Sequence, residues 1–331
     1  MPRSSDARPD FRVLGAPNPP REASELRATS VEQRGLLTRE QCLGAGMTAA
    51  AVRWKVDRRV WEPVHRGVYQ TRPGKDDWHT AALAALLAVP GSAWSHQTAG
   101  FVEGLVGTPP LVVDLLVDER RRVATPAGAR LHRRVDADAF VDPLHWPWRV
   151  DVDHTVLDLA AKGSESDAVA LLGRAFSRHL TSEAALRPRL AARTRYPHRG
   201  LLDDVLADVA DGAQSVMEVR FVRDVERAHG LPLGRRQAPT LSSGLRLHDV
   251  AYDEERVLVE LDGRLGHEGP ARVGDGIRDR RSATLGRLTV RAFWVDVAVT
   301  PCELAREVGV ILGSCGRSGR LRRCRRRDCV T

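Results

Sequence analysis

The sequence lacks any long apolar run. A membrane-spanning helix needs about 20 consecutive apolar residues, and the most apolar stretch, Ala81–Pro90, is about half that length. The N-terminus carries charged residues without an apolar core, unlike a signal peptide. We therefore expect a cytoplasmic protein that does not enter a membrane.

Cysteine is also scarce. The five cysteines form no C-x-x-C pair, and nothing points to secretion, so a disulfide framework is not expected. Cys315, Cys324 and Cys329 lie near one another in the chain, but their spacing fits no common zinc motif and no fourth ligand is near in sequence. The sequence favours a disordered, arginine-rich tail here.

Lysine occurs only at Lys55, Lys75 and Lys162, so almost all positive charge comes from arginine. The formal net charge is +8, but the tail contributes seven arginines against one aspartate. The rest of the chain is therefore nearly neutral. Net positive charge suggests nucleic-acid binding. In this chain the suggestion holds only for local basic patches, because the body is nearly neutral.

Helix starts, turn residues and alternating strands predict a mixed α/β protein of several parts. The predicted parts are a disordered leader (1–22), a winged helix-turn-helix (23–72), an α/β connecting domain (73–212), a compact α/β domain (213–312) and a disordered tail (313–331). In the fourth part we expect a helix at Ser215–Gly230, a strand at Arg235–Thr240, a hairpin at Leu245–Gly263, a helix at Arg272–Leu285 and a strand at Leu288–Trp294.

The winged helix-turn-helix is predicted from its helix caps and its hairpin. Thr38 and Gln41 form a capping-box pattern, Thr48 is placed to cap the next helix, and Val60–Tyr69 alternates as a hairpin does. Basic residues lie on the second helix of the motif and at its exit, where a recognition helix meets DNA. These candidate DNA contacts are Arg53, Lys55, Arg58 and Arg59. The alternative is a solvated basic face.

The hairpin of the fourth part carries the most informative acids. Its polar tip sets a register that places Asp249 opposite Glu260, with Cβ atoms about 4.5–5.5 Å apart, and Asp262 shares that face. Like charges opposed in this way are destabilising, and a divalent cation such as Mg²⁺ or Mn²⁺ would relieve the repulsion. The alternative is an exposed face of an edge hairpin.

Other residues are candidates for the same site. Glu218 either completes a capping box with Ser215 or points inward as a third metal ligand. His267, on a glycine-flanked loop, is either a general acid or base or an ordinary loop histidine. Arg278 and Arg281 are candidate phosphate contacts, although Arg278 also fits a surface helix pair.

These residues resemble bacterial Vsr-like nuclease domains of the PD-(D/E)XK type, fused behind an antitoxin-like winged helix. The match covers Ser215–Val297 and is carried by Glu218, His248–Asp249, Val259–Gly263, His267, Asp275, Arg278 and Gly286. The resemblance implies a phosphodiesterase site with Asp249 and Glu260 as metal ligands. It also implies an aspartate, Asp262, where the wider superfamily has lysine; no lysine follows Lys162, so that role is absent or replaced.

The N-terminal half is similar to AbiEi-type antitoxins over roughly Ser24–Phe176. The residues that carry the similarity are Gly35–Gln41, Ala45–Met47, Trp61, Val64–Tyr69, Trp94–Ala99 and Thr155–Ala160. The resemblance implies that family's fold and a DNA-binding role. His96 and Asp158 are interpreted as residues that stabilise the fold rather than catalysts.

Two functions follow as expectations. The first is a DNA-binding, Mg²⁺- or Mn²⁺-dependent endonuclease acting in phage defence or DNA repair. The second is a DNA-binding regulator, the antitoxin of a type IV toxin–antitoxin system, whose nuclease domain is degenerate. DNA is the expected partner; RNA as the target and a toxin or other protein as a second partner stay open.

Overall fold

The computed structural model describes residues 21–22, 24–71, 77–210, 213–240, 246–262, 280, 282–326 and 329–331, without the side chains of 208–216, 237–248 and 262. It forms two compact units, Met1–Leu159 and Ala160–Thr331. Helices alternate with strands in three small sheets, which confirms the α/β class. The division at residue 159 lies inside the predicted connecting domain (73–212). The leader (1–22) lies almost entirely outside the described residues.

The first unit begins with a helical segment closed by a small antiparallel sheet of order β1-β3-β2. Its elements are α1 (Leu26–Glu32), β1 (Leu36–Thr38), α2 (Arg39–Gly44), α3 (Ala49–Asp57), β2 (Glu62–His65) and β3 (Val68–Gln70). The predicted capping box is present, because Thr38 Oγ1 accepts from the Gln41 N–H and Gln41 Oε1 from the Thr38 N–H. Thr48 Oγ1 caps α3 by accepting from the Ala51 N–H at 3.1 Å.

The rest of the first unit is an α/β layer with a sheet of order β4-β5-β6. Its elements are α4 (Trp78–Ala88), β4 (Ala93–Trp94), α5 (His96–Val102), β5 (Val113–Asp118), β6 (Ala129–Arg134) and α6 (Val152–Ala160). Helix α4 joins Leu36 and Val68 to Leu115 in one hydrophobic cluster. The predicted boundary between residues 72 and 73 therefore cuts through this cluster, although the segment before it also has a cluster of its own around Leu37, Val52 and Trp61.

Polar residues of this layer bond to one another. The His132 ring stacks on His96 with centroids 3.7 Å apart, and its Nε2 lies 2.7 Å from Asp114 Oδ1. Arg134 donates to Asp158 at 3.0 Å. These contacts agree with a stabilising role for His96 and Asp158. Arg149 and Val150 form isolated bridges to Trp94 and Val141 beside this layer.

The second unit consists of helices followed by a four-stranded mixed sheet of order β10-β9-β8-β7. Its elements are α7 (Glu165–Ser177), α8 (Glu183–Ala191), α9 (Arg199–Ala210), α10 (Ala213–Arg220), a π-helical continuation (Phe221–Arg227), β7 (Arg235–Thr240), β8 (Arg246–Tyr252), β9 (Val257–Asp262), β10 (Leu288–Phe293), α11 (Trp294–Ala298) and α12 (Pro301–Ser314). Strands β9 and β10 are parallel, and the other neighbours are antiparallel. Most of the helix predicted at Arg272–Leu285 lies outside the described residues.

One face of this sheet carries the core of the second unit. Val250 and Val259 pack with Phe221 of the π-helical segment and with Leu304 and Val308 of α12. Strand side chains alternate between faces, so Ala251 and Leu258, which form a separate buried pair, lie on the opposite face. The two faces are called below the helix-packed face and the opposite face.

The C-terminal tail differs from its prediction. Leu321 packs against the core of the second unit, and Arg322 N–H donates to the His229 carbonyl at 3.0 Å. Arg317 also donates to the Gly230 carbonyl at 2.9 Å. The expected disorder of 313–331 is therefore wrong for the described part of the tail. Its arginine content suggested disorder, but one leucine and several backbone contacts attach it to the domain.

Within the described ranges, every helix is too short or too polar to cross a lipid bilayer.

Candidate functional site

The register of the acidic hairpin is as predicted. Strands β8 and β9 pair Tyr252 with Val257, Ala251 with Leu258 and Val250 with Val259. The next position along this register places Asp249 beside Glu260. The hairpin tip is fixed by Asp253, which accepts two hydrogen bonds from Arg235 at 2.8 and 3.1 Å. These bonds lower the pKa of Asp253 below its ordinary value.

The two strands separate where the acids lie. Beyond Val250 and Val259, β8 continues along β7 as far as Arg246, whereas β9 continues along β10 as far as Asp262. At the point of separation, Asp249 Oδ2 accepts a hydrogen bond from the Leu261 N–H at 2.7 Å. Asp249 is buried, with 7% of its surface exposed, and Glu260 is half-buried. The printed register of β8 and β9 thus ends beside the two acids, and one carboxylate is held by the backbone of the neighbouring strand.

A cationic residue accompanies the pair on the third strand. Arg291 of β10 is the direct register partner of Glu260, and both are half-buried. Residues paired in register point to the same face of a sheet, so the guanidinium belongs to the same face as the two acids. Some of the negative charge here is therefore balanced by the protein itself.

Glu218 does not join the pair. Helix α10 begins at Ala213, so Ser215 lies inside the helix and the proposed capping box with Glu218 is wrong. The neighbouring Met217 is fully buried in the core cluster of the helix-packed face, whereas Glu260 belongs to the opposite face. Among the described side chains, the group of three or more potential metal ligands lies elsewhere and does not include Glu218. Glu218 is half-buried and has contacts of its own.

The remaining predicted active-site residues lie outside what the structure describes. Asp262 ends β9, but its side chain is not among those described. His267, Arg278 and Arg281 fall in ranges that are not described. Their proposed roles stay predictions.

The four basic residues of the predicted DNA-contacting face lie on α3 and its exit. Arg53, Arg58 and Arg59 are exposed, and Arg59 has a left-handed backbone with φ of 55° at the turn after the helix. Lys55 is half-buried, with its ammonium 5.1 Å from the centre of the Trp61 ring. Three of the four side chains are therefore presented to solvent, and the DNA contact of all four stays a prediction.

A buried acid escaped the sequence analysis. Glu226, in the π-helical segment, is fully buried and accepts hydrogen bonds from Tyr252 Oη at 2.8 Å and from the Gly234 N–H at 2.9 Å. The Arg236 guanidinium is the third donor to this carboxylate. Burial, followed by the charge of Glu226, raises the pKa of Tyr252. The position of Glu226 next to Val225 in an apolar stripe was the sequence signal that it is buried. Its three donors come from residues that no sequence pattern linked to it.

A second group also escaped the sequence analysis, which found no fourth ligand for the C-terminal cysteines. The structure brings His229 and Cys302 together with Cys324 and Cys329. Cys315, in contrast, is exposed at the end of α12. The sequence argument looked for a fourth ligand nearby in the chain, whereas two of the four gathered side chains, His229 and Cys302, come from distant segments.

Comparisons with known proteins do not assign the chain to a family. No family model matches the chain, and no curated protein matches it. Among solved structures, the RV2827C protein from Mycobacterium tuberculosis is similar with a TM-score of 0.35 and 17% sequence identity, over 52% of this chain and 71% of that one. A similarity at this level does not bear on function.

Proposed function

We propose that the protein is a DNA-binding phosphodiesterase whose Asp249 and Glu260 hold a divalent cation. The observation that carries this proposal is the separation of β8 from β9 at these two acids, with Asp249 fixed by the Leu261 N–H. Two carboxylates beside each other repel unless a cation lies between or near them.

The residues fit Mg²⁺ or Mn²⁺. These hard cations take carboxylate oxygens, usually one or two from the protein, and complete their shell with water and phosphate oxygens. Asp249 and Glu260 supply that number of carboxylates. When bound, the ion would polarise the scissile phosphate and lower the pKa of a water nucleophile.

Arg291 supplies a cationic group that replaces the absent lysine in this proposal. It is paired in register with Glu260, on the same face as the acids, and a guanidinium matches the geometry of phosphate oxygens. Its role would be to position the phosphate and stabilise its charge. Asp262 and His267 are the candidates for proton transfer.

The N-terminal segment would provide the DNA contact as a winged helix-turn-helix. The order of its elements, the sheet order β1-β3-β2 and the exposed Arg53, Arg58 and Arg59 support this assignment. Basic side chains on such a helix contact phosphates and bases in the groove. We further infer action in the cytoplasm, in phage defence or DNA repair.

Cleavage of DNA by the full chain with Mg²⁺ or Mn²⁺ tests the catalytic proposal. Asp249→Asn and Glu260→Gln are each expected to lower the cleavage rate at least about 100-fold, because the ion contributes several kcal/mol to the transition state. The matched control is Glu254→Gln, which removes the same charge from the exposed hairpin tip and should cleave as the wild type does. Cleavage that persists in both variants would remove the pair from the mechanism. Wild-type protein that binds DNA but neither binds the ions by calorimetry nor cleaves would be a regulator instead.

The DNA contact is tested by the salt dependence of affinity. Arg53→Ala and Arg58→Ala should each reduce the slope of log affinity against log salt by about one unit if each side chain neutralises one phosphate. Arg122→Ala, another exposed arginine of the same unit, should leave the slope unchanged. Equal slopes for all three variants and the wild type would exclude α3 from the interface.

A further inference from the structure

Four potential ligands of a soft metal meet at the C-terminal end of the second unit. His229 follows the π-helical segment, Cys302 lies in the first turn of α12, and Cys324 and Cys329 come from the tail. One ligand atom of each lies within 4.8 Å of the others. His229, Cys302 and Cys329 are buried, and Cys324 is half-buried. The four side chains are called below the Cys3His cluster.

The distances in the Cys3His cluster agree with a tetrahedral site. Cys302 Sγ and Cys324 Sγ are 3.5 Å apart, and Cys329 Sγ is 3.8 Å from His229 Nε2. In a tetrahedral zinc site with Zn–S bonds of about 2.3 Å, neighbouring ligand sulfurs lie about 3.8 Å apart. All cysteines are free thiols. The spacing therefore suits four ligands around one ion.

The histidine is oriented as a ligand. His229 Nδ1 lies 3.2 Å from the Val225 carbonyl oxygen, to which it donates. This bond puts the proton on Nδ1, so the lone pair of Nε2 faces Cys329. Metal-binding histidines are held in this way by a carbonyl or carboxylate on the other ring nitrogen. The contact is independent evidence for a ligand role.

The sulfur atoms also have the surroundings of thiolates. The Cys324 N–H approaches Cys329 Sγ at 3.4 Å, and the Arg326 N–H approaches Cys324 Sγ at 3.4 Å. Donors directed at sulfur stabilise its anionic form, which is the form that binds metal. The arginines of the tail add compensating positive charge nearby.

We propose that His229, Cys302, Cys324 and Cys329 bind one Zn²⁺ ion as a closed, structural Cys3His site. Thiolate and imidazole ligands select zinc over the hard cations proposed for the acidic hairpin, and four protein ligands leave no open position for a substrate. The ion would attach the tail to α12 and to the helix that carries Glu226. The arginine-rich tail is then an integral part of the domain.

The test is the metal content of the full chain, purified from cells grown with added zinc. We expect one zinc per chain by mass spectrometry, and replacement by Co²⁺ should produce the visible absorption of tetrahedral, thiolate-bound cobalt. Cys302→Ser and Cys324→Ser should each retain at least about tenfold less zinc after dialysis. The matched control is Cys315→Ser, an exposed cysteine at the end of the same helix, which should retain all of it.

Three results would overturn the proposal, and the first two concern only the wild-type protein. The first is wild-type protein without zinc and without the tetrahedral cobalt spectrum. The second is a disulfide between Cys302 and Cys324 in the freshly purified wild type, seen as a loss of two hydrogens in its mass. The third is zinc that is lost equally in Cys315→Ser. Nuclease activity is not measured, so this test is independent of the catalytic proposal.

Discussion

The two faces of the β7–β10 sheet hold carboxylates in different ways. On the helix-packed face, Glu226 is fully buried and bonded to Tyr252, Gly234 and Arg236. On the opposite face, Asp249 is nearly as buried, and the register continued by one position places another acid, Glu260, beside it. The first carboxylate is surrounded by donors, whereas the second faces a like charge.

This difference separates a structural acid from a candidate metal ligand. Burial of a carboxylate is costly unless donors or a cation compensate its charge. The protein supplies a hydroxyl, an amide and a guanidinium to Glu226, so no ion is needed there. Asp249 accepts one backbone N–H, and Arg291 is the register partner of Glu260. An ion at the opposite face would complete the compensation, and burial alone would not have distinguished the two cases.

The largest expected effect is on the helix-packed face. Glu226→Ala should lower the free energy of unfolding by about 3–5 kcal/mol, because removing one partner of a buried ion pair leaves the other charge uncompensated. Tyr252 and Gly234 would also lose their acceptor. Urea denaturation of the full chain measures the change, with Glu254→Ala at the exposed hairpin tip as control, expected to stay within about 0.5 kcal/mol of wild type.

Equal free energies of unfolding for Glu226→Ala and Glu254→Ala would contradict the proposed difference between the two faces. The buried network would then contribute nothing measurable, and the contrast between donor-satisfied and repelling acids would have no energetic basis. A large loss of stability in Glu226→Ala that is the same with and without Mg²⁺ would support the difference between the faces, because it would show that Glu226 acts without a metal.

The features that sequence predicts well are those determined within a short window. The capping box of Thr38 and Gln41 joins residues three positions apart, and the hairpin tip sets the register that places Asp249 beside Glu260. Alternation then assigns Glu260 to the face opposite Val259 and Leu261. Each of these follows from local geometry, so no knowledge of the packed domain was required.

The features that it misses depend on contacts between distant segments. His229 and Cys329 are 100 positions apart, and neither lies in a recognisable metal-binding spacing. The arginines of the tail outnumber its apolar residues, which suggested disorder, although Leu321 and backbone contacts attach the tail to the core. The cap proposed for Glu218 failed because the helix begins two residues earlier than its most obvious capping residue, Ser215.

The smallest expected change in the free energy of unfolding concerns the opposite face, and it is the most specific test of the acid pair. Asp249→Ala should lower the free energy of unfolding by about 1–3 kcal/mol, because the Leu261 N–H loses its acceptor. Asp249→Asn should cost less than about 1 kcal/mol, since the amide oxygen can still accept this bond and the repulsion with Glu260 is relieved. Thermal and urea unfolding without divalent cations measure both changes.

Added Mg²⁺ then separates the two interpretations of the acid pair. A ligand that binds the folded state stabilises it by up to about 2–3 kcal/mol at 100 times its dissociation constant, so the wild type should gain stability and Asp249→Asn should not. The Glu254→Gln control should respond as the wild type does. An equal gain in Asp249→Asn would place the ion elsewhere. If Asp249→Asn costs as much as Asp249→Ala, the charge of Asp249 is itself needed for folding, and both faces of the sheet use their buried acids structurally.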